Sequence, residues 1–168
     1  MVIEALSRRH DCSYFSCGDP EMDAYLRVYA RQNQERDLRR TWVAVAEAGD
    51  PLVIGYYTLC AHCIRRESIP IQRLPRYPIP AILLARLAVA DTHQGQGVAR
   101  RLLGDAFRRR VAIADQVGAT VLVVDALNED VAQRLYLPRR FERTLDNPLR
   151  LYVPMATIRS AVRTAERV

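Results

Sequence analysis

One segment of this chain has the spacing of a phosphate cradle. Gln94-Gly95-Gln96-Gly97-Val98-Ala99 lies between a long apolar run and the start of an amphipathic one. Free backbone N–H groups at a helix N-terminus bind phosphate, and glycines let the backbone approach a ligand closely. The segment lacks the third glycine of a dinucleotide fingerprint and the Gly-Lys-Ser/Thr of a triphosphate loop, so it is neither of those sites; a plain tight turn is the competing reading. Four cysteines, Cys12, Cys17, Cys60 and Cys63, include a C-x2-C pair, which reads either as part of a metal set or as ordinary buried thiols. Asp91, His93, Glu47 and His62 are candidate bases by residue type alone.

Elements that would position these residues can be read from periodicity. Val2 to Leu6 is a first strand. Asp19-Pro20 opens a helix, with Asp as N-cap and Pro at the first helical position, and its apolar face is Met22, Tyr25, Leu26, Tyr29 and Ala30. Trp42 to Glu47 and Leu52 to Cys60 form a hairpin around Ala48-Gly49-Asp50-Pro51. Ala81 to Ala90 is a strand buried on both faces. A helix starts at Val98 with the face Val98, Leu102, Ala106, Phe107, Val111 and Ala114, and Gly118 stops it. Ala119 to Ala126 is a second buried strand, and Asn128 caps a short helix ending at Tyr136. Arg150 to Val153 is a last strand before a mixed tail. A hairpin followed by strand-loop-helix-strand predicts a mixed α/β sheet flanked by helices.

The 168 residues predict one domain, 1–168, with 49% hydrophobic residues to build its core. This composition excludes a disordered chain and a disulfide-held miniprotein. With neither a long apolar run nor a signal pattern, a cytoplasmic protein away from membranes is expected. All 25 basic residues are arginine, and the net charge is +6. Arginine makes bidentate contacts to phosphate, so a basic excess suits an anionic partner. The pairs Arg8-Arg9, Arg39-Arg40, Arg65-Arg66 and Arg139-Arg140, with Arg73, Arg76 and Arg86 around a Pro-rich stretch from Pro70 to Pro80, read as solvated surface or as contacts to nucleic-acid phosphates. Tyr77 beside Arg76 suits stacking on a base or packing of its own loop. Arg108-Arg109-Arg110 are expected on the polar side of the long helix.

Leu87-Ala88-Val89 followed by Gln94-x-x-Gly97-x-Ala99 resembles the acetyl-CoA-binding segment of the GNAT (Gcn5-related) N-acetyltransferases. A wider match covers residues 1 to 158: Phe15-x-Cys17-Gly18 with Met22-Asp23-x-Tyr25-Leu26, Ile54 to Leu59, and, most specific, Leu74-Pro75-Arg76-Tyr77-Pro78-Ile79-Pro80-Ala81 through Val89. These segments are similar to the GNAT toxins of bacterial toxin–antitoxin pairs. The resemblance implies the GNAT fold, acetyl-CoA as cosubstrate, and acetylation of the α-amino group of aminoacyl-tRNA, which blocks translation. It also implies a ribbon-helix-helix antitoxin as partner, and related toxins are often homodimers.

The same resemblance assigns roles. Leu87, Ala88 and Val89 match the strand that pairs with the pantetheine arm. Gln94, Gly95, Gln96, Gly97, Val98, Ala99 and Arg100 match the pyrophosphate loop. Tyr136 matches the tyrosine that protonates the departing thiolate, although it also continues the apolar face Val131, Ala132 and Leu135. Arg73, Arg76, Tyr77 and Arg86 are the candidate substrate contacts. The chain departs from the family's Tyr-x-x-x-Gly-Phe in having Arg140 before Phe141, and the asparagine common seven residues before the tyrosine is Glu129, with Asn128 next to it. An α-amino group has a reference pKa of about 7.7–8.0 against ~10.4 for lysine, so an aminoacyl ester needs no strong base. The alternatives are a GNAT enzyme acting on a small amine, an antibiotic or a protein N-terminus, and a non-enzymatic operator-binding subunit.

Overall fold

The computed structural model describes residues 1–165. Its strands are β1 (Val2–Ala5), β2 (Arg40–Val45), β3 (Gly55–Ile64), β4 (Ile79–Val89), β5 (Val121–Asp125), β6 (Glu142–Arg143) and β7 (Arg150–Pro154). They form the expected mixed sheet, in the order β1-β2-β3-β4-β5-β7-β6. Among the described residues no helix is long and apolar enough to cross a membrane. The chain divides into two compact units, Met1–Cys60 with Ala85–Ala106, and Ala61–Leu84 with Phe107 onward.

In the first unit β1, β2 and the start of β3 pair antiparallel, with Ile3 opposite Ala44 and Trp42 opposite Tyr57. Between β1 and β2 the chain forms α1 (Pro20–Ala24), a π-helical turn (Tyr25–Tyr29) and α2 (Ala30–Glu35). Asp19 caps α1 as expected, its carboxylate accepting from the N–H of Glu21 at 2.9 Å and of Met22 at 3.3 Å. The stripe expected on this helix is corrected at one place: Tyr25, Leu26 and Ala30 are buried, but Tyr29 is 53% exposed. The π turn inserts one extra residue into the helical repeat and rotates Tyr29 off the stripe. Phe15 meets Tyr56 edge-on at 5.5 Å, and Tyr25 stacks on Tyr56 at 6.1 Å, closing this core.

The hairpin strand β3 starts three residues later than its apolar run and continues past Cys60 to Ile64. Its period of two sends Cys60 and Cys63 to opposite faces, so the C-x2-C pair cannot converge on one ion. Among the described residues no cluster of three His, Cys, Asp or Glu side chains is placed to hold a metal.

In the second unit the first half of β4 pairs parallel with β5, Ala81 opposite Val121, and β5 pairs antiparallel with β7. Parallel neighbours need a crossover, and the long helix α3 (Val98–Val117) supplies it. Gly118, at φ +75°, stops α3 with its N–H on the carbonyl of Ala114. Asn128 caps α4 (Glu129–Val131) through the N–H of Val131 at 2.9 Å, and a π turn (Ala132–Tyr136) follows. The mixed tail contains a helix that periodicity did not single out, α5 (Met155–Ala165), with Met155 and Ile158 buried.

One arginine is misplaced by the periodic reading. Arg108 is exposed, but Arg110 has no exposed surface, because it falls three residues after Phe107 and four before Ala114 on the inward face of α3. None of its three side-chain nitrogens has a hydrogen-bond partner among the described residues. Burial pulls its guanidinium down to about 9, and Arg159 adds to the shift. A buried cation without a partner is destabilising.

Candidate active site

The Gln94 loop belongs to the first unit and is built around two left-handed residues. Gly95 and Gly97 sit at φ +74° and +80°, where a side chain is strained, and a Cβ at either would meet no protein atom within 4 Å. The loop therefore leaves backbone bare on an open side. It runs into α3, whose unpaired N-terminal N–H groups and exposed Arg100 and Arg101 supply positive charge. This cradle fits a pyrophosphate.

Gln94 works as a brace. Its amide donates to the carbonyls of Cys17 at 2.9 Å and Val89 at 3.1 Å and to Asp91 Oδ1 at 3.2 Å. Asp91 in turn accepts from Ser16 Oγ at 2.8 Å, and its N–H donates to the Ser16 carbonyl at 2.8 Å. Asp91 is thus a fixing carboxylate, tied to the end of β4 and to the segment before α1. His93 pairs with the neighbouring Thr92 hydroxyl at 2.9 Å, and Glu47 is exposed. Leu87, Ala88 and Val89 form the end of β4 that leads into the loop, with Ala88 and Val89 buried.

Gly55 is a positioning residue that periodicity passed over. A Cβ there would lie 3.1 Å from the carbonyl oxygen of Ala88, 3.1 Å from Leu102 Cδ1 and 3.2 Å from Val98 Cγ1. A glycine lets the start of α3 and the end of β4 close on β3 at this point, where any side chain would have to push them back by a few tenths of an ångström. A glycine at the start of a strand, between apolar neighbours, was the available signal.

Tyr136 lies in the second unit, 4% exposed, with its ring edge-on to Phe141 at 5.3 Å. Phe141 in turn meets Phe107 at 5.9 Å. Burial pushes the Tyr136 phenol well above its ordinary value, so it is protonated at neutral pH and has a proton to give. After Tyr136 comes a 3-10 turn (Leu137–Arg139) containing Pro138, and then Arg140 at φ +63°. Glycine is the residue expected here from the motif, so the departure is one of residue type while the backbone takes the conformation that glycine favours.

The candidate substrate contacts fall in two places. Arg73, Arg76 and Tyr77 are exposed on the Pro-rich excursion of the second unit, Tyr77 by 62%. Arg86 belongs to the first unit and is largely committed there. Its guanidinium lies over the Tyr25 ring at 4.8 Å and pairs with Glu21 at 2.8 Å, leaving the side chain 24% exposed. His62, in the second unit, keeps its ring nitrogen Nε2 buried without a partner among the described residues. Desolvation and then the nearby Arg150 lower its pKa, so it is neutral at pH 7.

A profile of the acetyltransferase (GNAT) domain matches residues 37–142. The chain belongs to the GNAT acetyltransferase family. The match spans both the Gln94 loop and Tyr136, and this acetyltransferase uses acetyl-CoA as its acetyl donor. It is 34% identical, over 94% of its length and 93% of the relative's, to a tRNA-acetylating toxin of Mycobacterium tuberculosis (strain ATCC 25618 / H37Rv). It is 32% identical, over 95% of its length and 93% of the relative's, to the probable toxin TacT of Sinorhizobium fredii (strain NBRC 101917 / NGR234). Among solved structures it resembles AtaT complexed with acetyl-methionyl-tRNAfMet, with a TM-score of 0.88 and 27% identity over 96% of this chain and 98% of that one. A tyrosine-to-phenylalanine mutant of AtaT, bound to the C-terminus of the antitoxin AtaR and to acetyl-CoA, superposes with a TM-score of 0.82, at 27% identity over 96% of this chain and 97% of that one.

Proposed function

We propose that this acetyltransferase moves the acetyl group of acetyl-CoA to the α-amino group of aminoacyl-tRNA, and that as a toxin it blocks translation by doing so. The observation that carries the reading is the kinship, over nearly the whole chain, with a tRNA-acetylating toxin. The full length, 1–168, is read as one catalytic domain working in the cytoplasm. A ribbon-helix-helix antitoxin is its proposed partner, supported by the antitoxin-bound AtaT structures, and a homodimer its proposed assembly.

The chemistry assigned to the chain is limited and local. The Gln94 to Arg100 loop receives the pyrophosphate on bare backbone and the start of α3. The β4 residues Leu87 to Val89 offer backbone groups to the pantetheine arm. The free amine attacks the acetyl carbon, the C–S bond breaks, and the thiolate takes the phenolic proton of Tyr136. A general acid held in place contributes about 10²–10⁴-fold. The proton lost by the amine passes to water, since an α-amino group beside an ester is already partly neutral at pH 7. Arg73 and Arg76, with Tyr77, contact the RNA, and Arg86 shapes the acceptor side from its place over Tyr25.

The decisive experiment incubates the protein with acetyl-CoA and bulk charged tRNA and identifies released N-acetyl amino acids by mass. Transfer only to small amines or peptide N-termini would replace the tRNA assignment. Gly97→Glu, which puts bulk and negative charge into the cradle, is expected to weaken acetyl-CoA binding by more than about tenfold, roughly 1.4 kcal/mol, in calorimetric titration.

A further inference from the structure

A second basic site lies within the first unit. A cleft of about 320 Å³ is lined by Arg8, Arg9, Arg27 and Arg31 against a single carboxylate, Asp11. Two of the arginines come from the helical segment and two from the loop after β1. The helical pair is held in place by backbone. One nitrogen of Arg27 donates to the carbonyl of Phe15, and one of Arg31 to that of His10, with Arg31 Nε on the carbonyl of Ser7 at 3.4 Å. Neither forms an ion pair among the described residues. Arg31 feels the Asp11 carboxylate only at longer range, Arg27 has no carboxylate within ion-pair distance among the described residues, and each fork keeps N–H donors to spare.

The loop pair is more weakly engaged. Arg8 reaches Glu35 only at 3.7 Å, with side chains 92% and 65% exposed, an arrangement worth little in water. Arg9 pairs with Glu4, which His10 Nε2 also contacts at 2.7 Å. The Asp11 carboxylate is occupied in part by the N–H of Ser13 at 2.9 Å. Ser13 lines the cleft, and Tyr14, the next residue in the chain, is 85% exposed. Fixed guanidinium forks bind phosphate without losing much side-chain freedom, and an exposed ring stacks on any base.

We propose that the cleft formed by Arg8, Arg9, Arg27 and Arg31 binds a backbone phosphodiester of the RNA substrate, with Tyr14 stacking on an adjacent base. This rests on the tRNA reading above and adds an anchoring site built from residues outside the acetyl-transfer machinery. A free nucleotide or inorganic phosphate offers the same phosphoryl chemistry, and the test separates these sources.

Binding of uncharged tRNA is measured by fluorescence anisotropy at several salt concentrations, for the wild type, for Arg8→Gln with Arg9→Gln, for Arg27→Gln and for Tyr14→Ala. The exposed loop pair keeps the test valid if loss of the Arg27 tether unfolds the protein. The arginine variants are expected to lose about tenfold in tRNA affinity and to show a shallower salt dependence, while acetyl-CoA affinity stays unchanged. Tyr14→Ala is expected to lose a few-fold in affinity at an unaltered salt slope. Wild-type affinity and slope in a folded arginine variant overturn the proposal. So does tight binding of ATP or inorganic phosphate that the arginine variants abolish while tRNA binding persists, because the cleft then takes free phosphate. Acetyl transfer to charged tRNA by the wild type tests the parent reading separately.

Discussion

The two π-helical turns are the same local device with opposite outcomes. In Tyr25–Tyr29 the N–H of Ala30 reaches back five residues to the carbonyl of Tyr25, and in Ala132–Tyr136 that of Leu137 reaches Ala132. Each turn ends on a tyrosine. Tyr29 is 53% exposed, whereas Tyr136 is 4% exposed against Phe141. A π turn displaces a residue from the helical stripe, and the surroundings decide where it goes. Around the first turn Phe15, Tyr25 and Tyr56 already fill the core, so Tyr29 is turned out. Around the second, Phe141 and Phe107 leave a place for a ring, and burial there raises the pKa of a phenol that is already protonated at neutral pH.

The largest test of that contrast is truncation. Tyr136→Ala is expected to cost about 3–5 kcal/mol in urea unfolding, while Tyr29→Ala should stay within about 0.5 kcal/mol. Equal costs would break the comparison. Removing only the hydroxyl separates chemistry from packing. Tyr136→Phe should keep fold and acetyl-CoA affinity but lower turnover on charged tRNA by about 10²-fold, and lose growth arrest in cells, while Tyr29→Phe keeps both. A folded Tyr136→Phe with near wild-type transfer would leave the ring as core alone.

Both helical segments also end near a non-glycine residue in the left-handed region, Asp37 at φ +55° and Arg140 at φ +63°. Aspartate tolerates that conformation, and Asp37 pairs with Arg40 at 2.5 Å. Arg140→Gly is therefore expected to raise stability by up to about 1 kcal/mol, and Asp37→Gly to gain nothing, in thermal unfolding.

The smallest effect is expected from Asp146, which braces the loops of the second unit. Hydrogen bonds from Ser68 and Thr144 hold its carboxyl down at about 2, Ser68 Oγ lying 2.7 Å away. A carboxylate depressed in the folded state adds stability above its unfolded pKa of about 3.9 and loses it as pH falls toward 2. The wild type should therefore show a steeper loss of melting temperature between about pH 4 and 2 than Asp146→Asn.

Legibility in the sequence followed the range of the interactions involved. The Asp19 and Asn128 caps, the Gly118 stop, the β4–α3–β5 unit and the glycine loop rest on neighbours a few residues apart, and all stand where periodicity and capping put them. Tyr29 and Arg110 were placed on the wrong faces because a helical stripe assumes an unbroken repeat and treats charge as a reason for exposure. The helix α5 was passed over in the tail, where alanines and polar residues separate its larger apolar side chains and, among the described residues, Met155 and Ile158 are the buried ones.

By itself the sequence determined the backbone that can cradle a phosphate, because positive φ at Gly95 and Gly97 is a local property of residues without a Cβ. It also carried the family, through motifs spread along most of the chain. Only the tertiary structure decided that Gln94 and Asp91 brace that loop instead of facing a ligand, and that Gly55 admits the start of α3. It likewise decided that Arg86 is spent on Tyr25 and Glu21, while Arg27 and Arg31 are tethered by backbone carbonyls and not by a close ion pair. The reason is the same in each case: whether a polar group is free to act depends on which distant atoms already satisfy it, and those partners lie far away along the chain.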